Sequence, residues 1–434
     1  MKNAFAAGAM LTLLGAGLLM CSSSRQNMSF SPRIAVAPRD ARVFAGNSLQ
    51  FRTHMAGELA PAGVRWSVVG PGSIDANGLY RAADASATAD VVASAGNGVA
   101  DSVAVRTVPA PGPHQPLILS TCYSDGTVNV NAAPSLAFIG ALSVGGRAAG
   151  ITVDAVHNRA IFAVESQLVA IDLRSMRWRV STPLPGVRLS EVAPLAYGYI
   201  AATDNDASAG HVGVRIFRVD PNGMPQLVSS VVAGETPEGI AAAAGGRTFY
   251  VTNINGNSVM RFAIDASGRV RLLRAGSTAA RPFGIAVDVV RNEVFVADND
   301  TSVVSGAHAR PGLERFDATT LQRIGSMIST GSPSSLPLGV AVDARTARLF
   351  VTNEGDQNVV VYSLPQMRRI AALRTGLTPW LPALDAEHGR LYVPNARDDS
   401  ISIYDTRTLR TIAPAVPTCS YPTSVAISHP DARL

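Results

Sequence analysis

One strand signature recurs along the last three-quarters of this chain, and it restricts the possible folds more than any other feature. It reads Gly150-Ile-Thr-Val-Asp154, Gly239-Ile-Ala-Ala-Ala243, Gly284-Ile-Ala-Val-Asp288, Gly339-Val-Ala-Val-Asp343, Pro382-Ala-Leu-Asp385 and Ser424-Val-Ala-Ile-Ser428. The last residues of successive copies lie 89, 45, 55, 42 and 43 positions apart, a period that belongs to propellers and solenoids. The first interval is twice the usual one, which places a seventh, degenerate copy at Val192 to Tyr197.

A second strand follows most copies at a fixed offset, as Phe249-Tyr-Val-Thr-Asn253, Val294-Phe-Val-Ala-Asp298, Leu349-Phe-Val-Thr-Asn353 and Leu391-Tyr-Val-Pro-Asn395. A third comes next, for example Asn358-Val-Val-Val-Tyr362, and then a weaker outer strand such as Arg369-Ile-Ala-Ala-Leu373. Four antiparallel strands in each of seven units predict an all-β, seven-bladed β-propeller over 117–434. The final copy is followed only by His429 to Leu434, where another unit would continue into its second strand. Leu117-Ile-Leu-Ser-Thr121 is the expected replacement, so one blade is shared between the two ends of this region and no sheet edge stays open.

The three cysteines fit that closure. Cys122 follows the second strand of the shared blade and Cys419 precedes its innermost strand, so antiparallel neighbours bring both to one face. A Cys122–Cys419 disulfide is expected, with Cys21 left over. Residues 1–21 have the layout of an export signal: Lys2 followed by an apolar or small run from Ala4 to Met20, interrupted only by Thr12. Its end, Leu18-Leu-Met-Cys21, resembles the lipobox of bacterial lipoproteins, although Met20 stands where that family has Gly, Ala or Ser. The resemblance implies acylation of Cys21, a tether over 22–32, and a protein held by lipid in the periplasm or at the outer membrane or cell surface.

Residues 33–108 alternate apolar and polar positions in short segments, the pattern of a β-sandwich, with Trp66 the expected centre and Leu79 turning inward after Asn77-Gly78. Trp66-Ser-Val68 and Gly72-Ser-Ile-Asp75-Ala-Asn77-Gly78-Leu79-Tyr80 resemble the bacterial Ig-like domains of surface and secreted proteins, which implies a spacer or adhesive module. Residues 109–116 read as a stiff Pro-rich linker. The formal charge of +5 does not indicate nucleic acid, since Lys2 is the sole lysine and the arginines are scattered singly among aspartates.

Val251-Thr-Asn253, Val351-Thr-Asn353 and the Gly-Ile-Ala-Val-Asp copies resemble the YVTN-type repeats of seven-bladed propellers, which are related to lactonase-like propellers. The units carrying Val164-Glu-Ser166 and Thr203-Asp-Asn-Asp206 depart from the motif. A fold of this kind hosts many activities, so the candidate residues decide.

At the Asn position of the motif stand Asp204, Asn253, Asp298, Asn353 and Asn395. A ring of oxygens there suits Ca²⁺, but Asn and Asp also begin turns by bonding their own backbone, and turn chemistry accounts for all five. Two loops add histidine, Asp204, Asp206 and His211 in one and Asp298, Asp300 and His308 in the other, which suits a divalent transition metal. Before the innermost strands, Glu238, Arg281, Phe283, Leu338, Trp380 and Tyr421 are placed to rim the central opening. No nucleophile elbow, zinc-protease or phosphate-loop motif occurs, so no catalytic residue is assigned. The expected function is non-enzymatic binding of a protein or glycan at the cell envelope through this rim. The alternative is a lactonase-like hydrolase with a metal in the funnel.

Overall fold

The computed structural model describes residues 34–429 apart from 56–57, 60–62, 96–97, 209, 280 and 300–310. The export signal, Cys21, the tether, Asp300 and His308 lie outside the described residues.

The repeat folds into consecutive antiparallel sheets, each formed from one stretch of chain: residues 148–180, 189–232, 237–277, 282–317, 337–374 and 383–417. We number these sheets 2 to 7. Sheet 1 combines Leu117–Cys122, Thr127–Ala132 and Phe138–Ser143 with Pro422–Ser428 from the far end of the chain, in the register Leu117↔Ser428 through Thr121↔Ser424. In every sheet the copy of the signature is the innermost strand.

The second and third strands read as nearly unbroken apolar runs because both of their faces are covered by neighbouring sheets. Val294, Phe295, Val296 and Ala297 are all buried, for instance. Seven apolar clusters fill the spaces between successive sheets, and the last, built on Ile118, Tyr392, Ile401, Ile403 and Val425, joins sheet 7 back to sheet 1. The disulfide expected at the seam is present, with the Cα atoms of Cys122 and Cys419 5.8 Å apart.

Two expectations about the repeat are corrected. The degenerate copy is Leu189–Pro194, not Val192 to Tyr197, because Val192 aligns with Ile240 and Glu191 occupies the glycine position. Among the described residues, sheet 5 has three strands, and isolated bridges at Leu313↔Ile328 and Phe316↔Arg323 stand in place of a fourth.

The threonine of Val-Thr-Asn has a structural task. Thr252 Oγ1 accepts a hydrogen bond from Gly239 N (3.0 Å) and donates one to Phe283 O in the next sheet (2.6 Å). Thr352 repeats this with Gly339 N and Trp380 O, and Thr203 and Thr121 donate to Glu238 O and Ala149 O. Each threonine thus fixes the start of its neighbour's innermost strand. Thr252→Val keeps the shape but leaves a buried N–H and C=O without their partner, so unfolding in urea should show a loss of about 1–3 kcal/mol.

The N-terminal strands form a sandwich whose core centres on Val43, Phe51, Tyr80, Val91 and Val105. Trp66 is only half-buried at its margin, and Tyr80 rather than Leu79 turns inward, since a residue two positions after Gly78 reaches the buried face of its strand. The sandwich is not held apart by the Pro-rich segment. Ala41–Phe44 pairs with Phe138–Ser143 at Val43↔Ala141, which extends sheet 1 into one eight-stranded sheet. Arg42 donates to Phe138 O (2.6 Å), Arg177 pairs with Asp84 (3.2 Å), and Phe44 lies in the apolar cluster shared by sheets 1 and 2.

Candidate functional site

The starts of the innermost strands lie around one mouth of the central channel. The residue after the proline position is Ala149, Ser190, Glu238, Phe283, Leu338, Trp380 and Thr423 in successive sheets, and the threonine bonds described above hold four of these in place. The regular frame thus leaves this one position free to vary from sheet to sheet. Left-handed residues precede the prolines of five of these strands, with φ of 54° at Thr236, 51° at Arg281, 50° at Leu336, 54° at Thr378 and 57° at Tyr421.

Three of the aromatic residues expected at the mouth meet there. Phe283 and Trp380 pack edge to face with ring centroids 5.8 Å apart, and Trp380 and Tyr421 do the same at 6.2 Å. Tyr123 continues the arc, 6.4 Å from Tyr421 and covered by the Arg147 guanidinium at 5.4 Å. All three retain partial exposure. Leu338 differs from expectation: it belongs to the sheet between those of Phe283 and Trp380 and is buried, so it supports the arc instead of lining the mouth. Arg281 is exposed and anchored through its backbone N–H to Asn257 Oδ1 (2.9 Å).

On the side of the mouth away from Trp380, Glu238 is buried and accepts hydrogen bonds from Ser190 Oγ (2.6 Å) and Asn205 Nδ2 (3.1 Å). Arg188 orients Asn205 by donating to its Oδ1 (2.7 Å). Beside Glu238 lies Glu191, which takes the position where sheets 2, 4, 5 and 6 have glycine. Its carboxylate rests against Gly150, where a Cβ would come within 2.5 Å of Glu191 Oε2 and 2.7 Å of its Cα, so glycine there makes room for it. Glu191 keeps some exposure to the channel but is surrounded by protein.

These environments differ in a way that matters chemically. Burial, reinforced by the neighbouring Glu238 carboxylate, pushes Glu191 up to about 8. Burial raises Glu238 as well, but the hydrogen bonds from Ser190 and Asn205 and the charge of Arg188 pull it back. Both neighbouring carboxyls thus have raised proton affinity, and of the two Glu238 is the one with donors and a nearby positive charge that favour its ionised form, a pairing that general acid–base catalysis can use.

A stability effect follows from the raised Glu191. Its folded pKa lies above the unfolded value of 4.5, so the folded state binds the extra proton and stability falls as pH rises from about 4.5 to about 8. Glu191→Gln should flatten the urea midpoint across that window and stabilise the protein at its alkaline end.

The proposed metal ligands are arranged otherwise than the sequence suggests. Asn253, Asn353 and Asn395 are fully buried and bond within their own sheets or the loops leading into them. Asn253 Oδ1 accepts from Gly234 N (3.0 Å), Asn395 Oδ1 from Gly376 N (3.1 Å), and Asn353 Nδ2 donates to Thr330 O (3.0 Å). These side chains tie the incoming loop to the end of the second strand, which is neither the local turn chemistry nor the Ca²⁺ ring considered from the sequence. Asp204 is buried against Arg215 (3.0 Å), Asp206 pairs with Arg188 (3.1 Å), and His211 is exposed, so the three do not converge on one point. Asp298 is buried beside Glu314, and burial together with that second carboxyl pushes it up to about 10. Among the described residues, His, Cys, Asp and Glu ligand atoms converge in threes only at Cys122, Asp125 and Cys419, whose sulfurs are joined, and at Asp385, His388 and His429.

Glu191 is the residue that sequence reasoning missed. The available signal was a charged residue at the glycine position of one repeat, hidden because that copy was begun at Val192, one residue past it.

No protein-family model matches the chain, and no curated protein is similar to it in sequence. Solved structures are similar in fold. A protein from Lactobacillus plantarum is 13% identical with a TM-score of 0.61, over 72% of this chain and 99% of that one. A putative 6-phosphogluconolactonase from Bacteroides uniformis is 12% identical with a TM-score of 0.59, over 72% and 99%. The periplasmic gluconolactonase of Pseudomonas aeruginosa is 12% identical with a TM-score of 0.58, again over 72% and 99%. The ring of sheets is therefore a β-propeller, of the same overall fold as these proteins.

Proposed function

We propose that this chain is an exported, seven-bladed propeller of the YVTN type with an Ig-like sandwich docked on its first blade, and that its funnel hydrolyses a lactone derived from a sugar acid. The observation that carries the reading is the Glu191 and Glu238 pair, two adjacent carboxyls at one channel mouth, of which Glu238 is held by Ser190 Oγ and Asn205 Nδ2 while burial and its neighbour keep Glu191 raised. The sequence of residues 1–21 supports export and a lipid anchor at Cys21 at the periplasmic face or cell surface. The lactonase names carried by two proteins of the same fold agree with the chemistry but do not establish it.

In this reading the lactone ring stacks against Trp380 and Tyr421, whose faces suit a ring with an apolar side and a hydroxylated edge. Glu238 takes a proton from water as the water oxygen bonds to the lactone carbonyl carbon. The ring C–O bond then breaks, and Glu191 gives its proton to the departing alkoxide oxygen. One water is consumed, and a proton passing from Glu238 to Glu191 restores the pair. No metal is required by these residues, which differs from the metal-dependent hydrolase considered from the sequence.

The aromatic arc also favours a second reading, retention of a glycan without turnover. Titration with a sugar-acid lactone and with its stable cyclic ether analogue, followed by tryptophan fluorescence, separates the two. Trp380→Ala should weaken binding of both compounds by about tenfold or more, the effect of losing one stacked ring. Binding of both without release of acid by the wild type would favour the glycan reading. Unchanged binding in Trp380→Ala would remove the funnel as the site.

A further inference from the structure

The far mouth of the channel holds a second cluster that the funnel chemistry does not use. Asp385 ends the innermost strand of sheet 7 and is buried. Its Oδ2 lies 3.0 Å from His388 Nδ1, and its Oδ1 lies 3.3 Å from His429 Nε2. The two imidazoles are stacked with centroids 5.0 Å apart and planes inclined by 27°. His429 comes one residue after Pro422–Ser428, the innermost strand of sheet 1, so the cluster spans the seam at which the ring closes.

Part of this arrangement is ordinary turn chemistry. The backbone N–H of His388 donates to Asp385 Oδ1 (3.1 Å), as His157 N does to Asp154 and Arg291 N to Asp288. His157 Nδ1 also lies 2.7 Å from Asp154 Oδ2. The turn explains one histidine beside one aspartate but not His429, which arrives from another sheet. A buried carboxylate with an imidazole nitrogen at each oxygen, and two stacked rings brought together from different sheets, is more than the turn requires.

We propose that Asp385, His388 and His429 bind a divalent transition metal of the Zn²⁺ class across the ring seam. Bonds of about 2.0–2.2 Å in a tetrahedral arrangement put ligand atoms about 3.3 Å apart, close to the separations seen here. Two neutral imidazoles and a carboxylate are the donors that Zn²⁺ accepts, with water completing the shell. A pocket of about 360 Å³ lined by Thr152, Asp385, Ile427 and His429 gives that water a place. The site would fasten one end of Pro422–Ser428 while the Cys122–Cys419 disulfide fastens the other.

The test uses the full chain, stripped with a chelator and titrated with Zn²⁺ by calorimetry and with Co²⁺ by visible absorption. One Zn²⁺ per chain is expected, with a tetrahedral Co²⁺ spectrum. His429→Ala and Asp385→Asn should each weaken binding by at least about 100-fold, whereas His157→Ala, which alters the matching turn in sheet 2, should leave it unchanged. Co²⁺ absorption of the unmutated protein keeps the outcome independent of whether a variant folds. Absence of stoichiometric binding by the wild type, or equal binding by folded His429→Ala, would overturn the proposal. Lactone turnover at the opposite mouth is not part of the readout, so failure here leaves the funnel reading untouched.

Discussion

Replacing Glu238 with Gln should lower lactone turnover by about 10²–10⁴-fold, the range lost when a positioned general base is removed. The substitution preserves size and leaves one oxygen acceptor for Ser190 Oγ or Asn205 Nδ2, which now bond different oxygens of the carboxylate, while the other donor faces the amide NH2. Binding through Trp380 and Tyr421 does not depend on the charge, so KM should change little while kcat falls. Glu191→Gln removes the acid and should produce a loss of similar size. Because the two act in one proton relay, the double variant should be scarcely worse than either single one. Additive losses would mean that the carboxyls work independently.

The largest effect on stability is expected at the ring seam. Cys419→Ser opens a covalent loop closed across 297 residues; the chain-entropy account gives an upper cost of about 5.7 kcal/mol, and loss of a native disulfide typically costs about 2–5 kcal/mol. The location adds to the expectation. Pro422–Ser428 is held to its sheet by pairing with Leu117–Cys122, and no direct chain connection joins these two strands. Without the disulfide, that strand can leave the ring in a local opening that exposes Ile118 and Val425. A lowered urea midpoint, with hydrogen exchange faster first in 117–122 and 422–428, is the expected result. Reduction of the wild type should reproduce it, and Cys122→Ser should match Cys419→Ser.

The scaffold was legible in the sequence because a propeller repeats one physical solution. Four innermost strands carry glycine, Gly150, Gly239, Gly284 and Gly339, where the next sheet approaches closely: a Cβ at Gly284 would lie 2.1 Å from Leu338 O. Each second strand is buried on both faces and so is apolar throughout. These constraints recur at a fixed period and can be read without coordinates, as can the closure that brings Cys122 to Cys419.

The site was less legible for the same reason. Functional residues occupy positions that the repeat leaves free, or positions where it is broken. Phe283 and Trp380 were found because they fill the variable place after proline. Their meeting above buried Leu338 depends on side-chain packing across three sheets, which no spacing reveals. Glu191 breaks the glycine rule, and a search for similarity passes over what is dissimilar. The Asn positions read as turn starters, whereas Asn253 and Asn395 accept from backbone N–H groups 19 residues earlier, a bond no local pattern reveals. The sandwich was outlined correctly as a run of strands, but its merger with sheet 1 rests on a single parallel pairing, Val43↔Ala141.

The central claim is that Glu191 and Glu238 form a working acid–base pair at the funnel. Its most direct test is the pH dependence of sugar-acid lactone hydrolysis by the purified full chain, corrected for spontaneous hydrolysis. Acceleration that declines as pH passes about 8, with that decline absent in the residual activity of Glu191→Gln, is the expected result. No acceleration at any pH, or an alkaline limb unchanged in Glu191→Gln, would contradict the account.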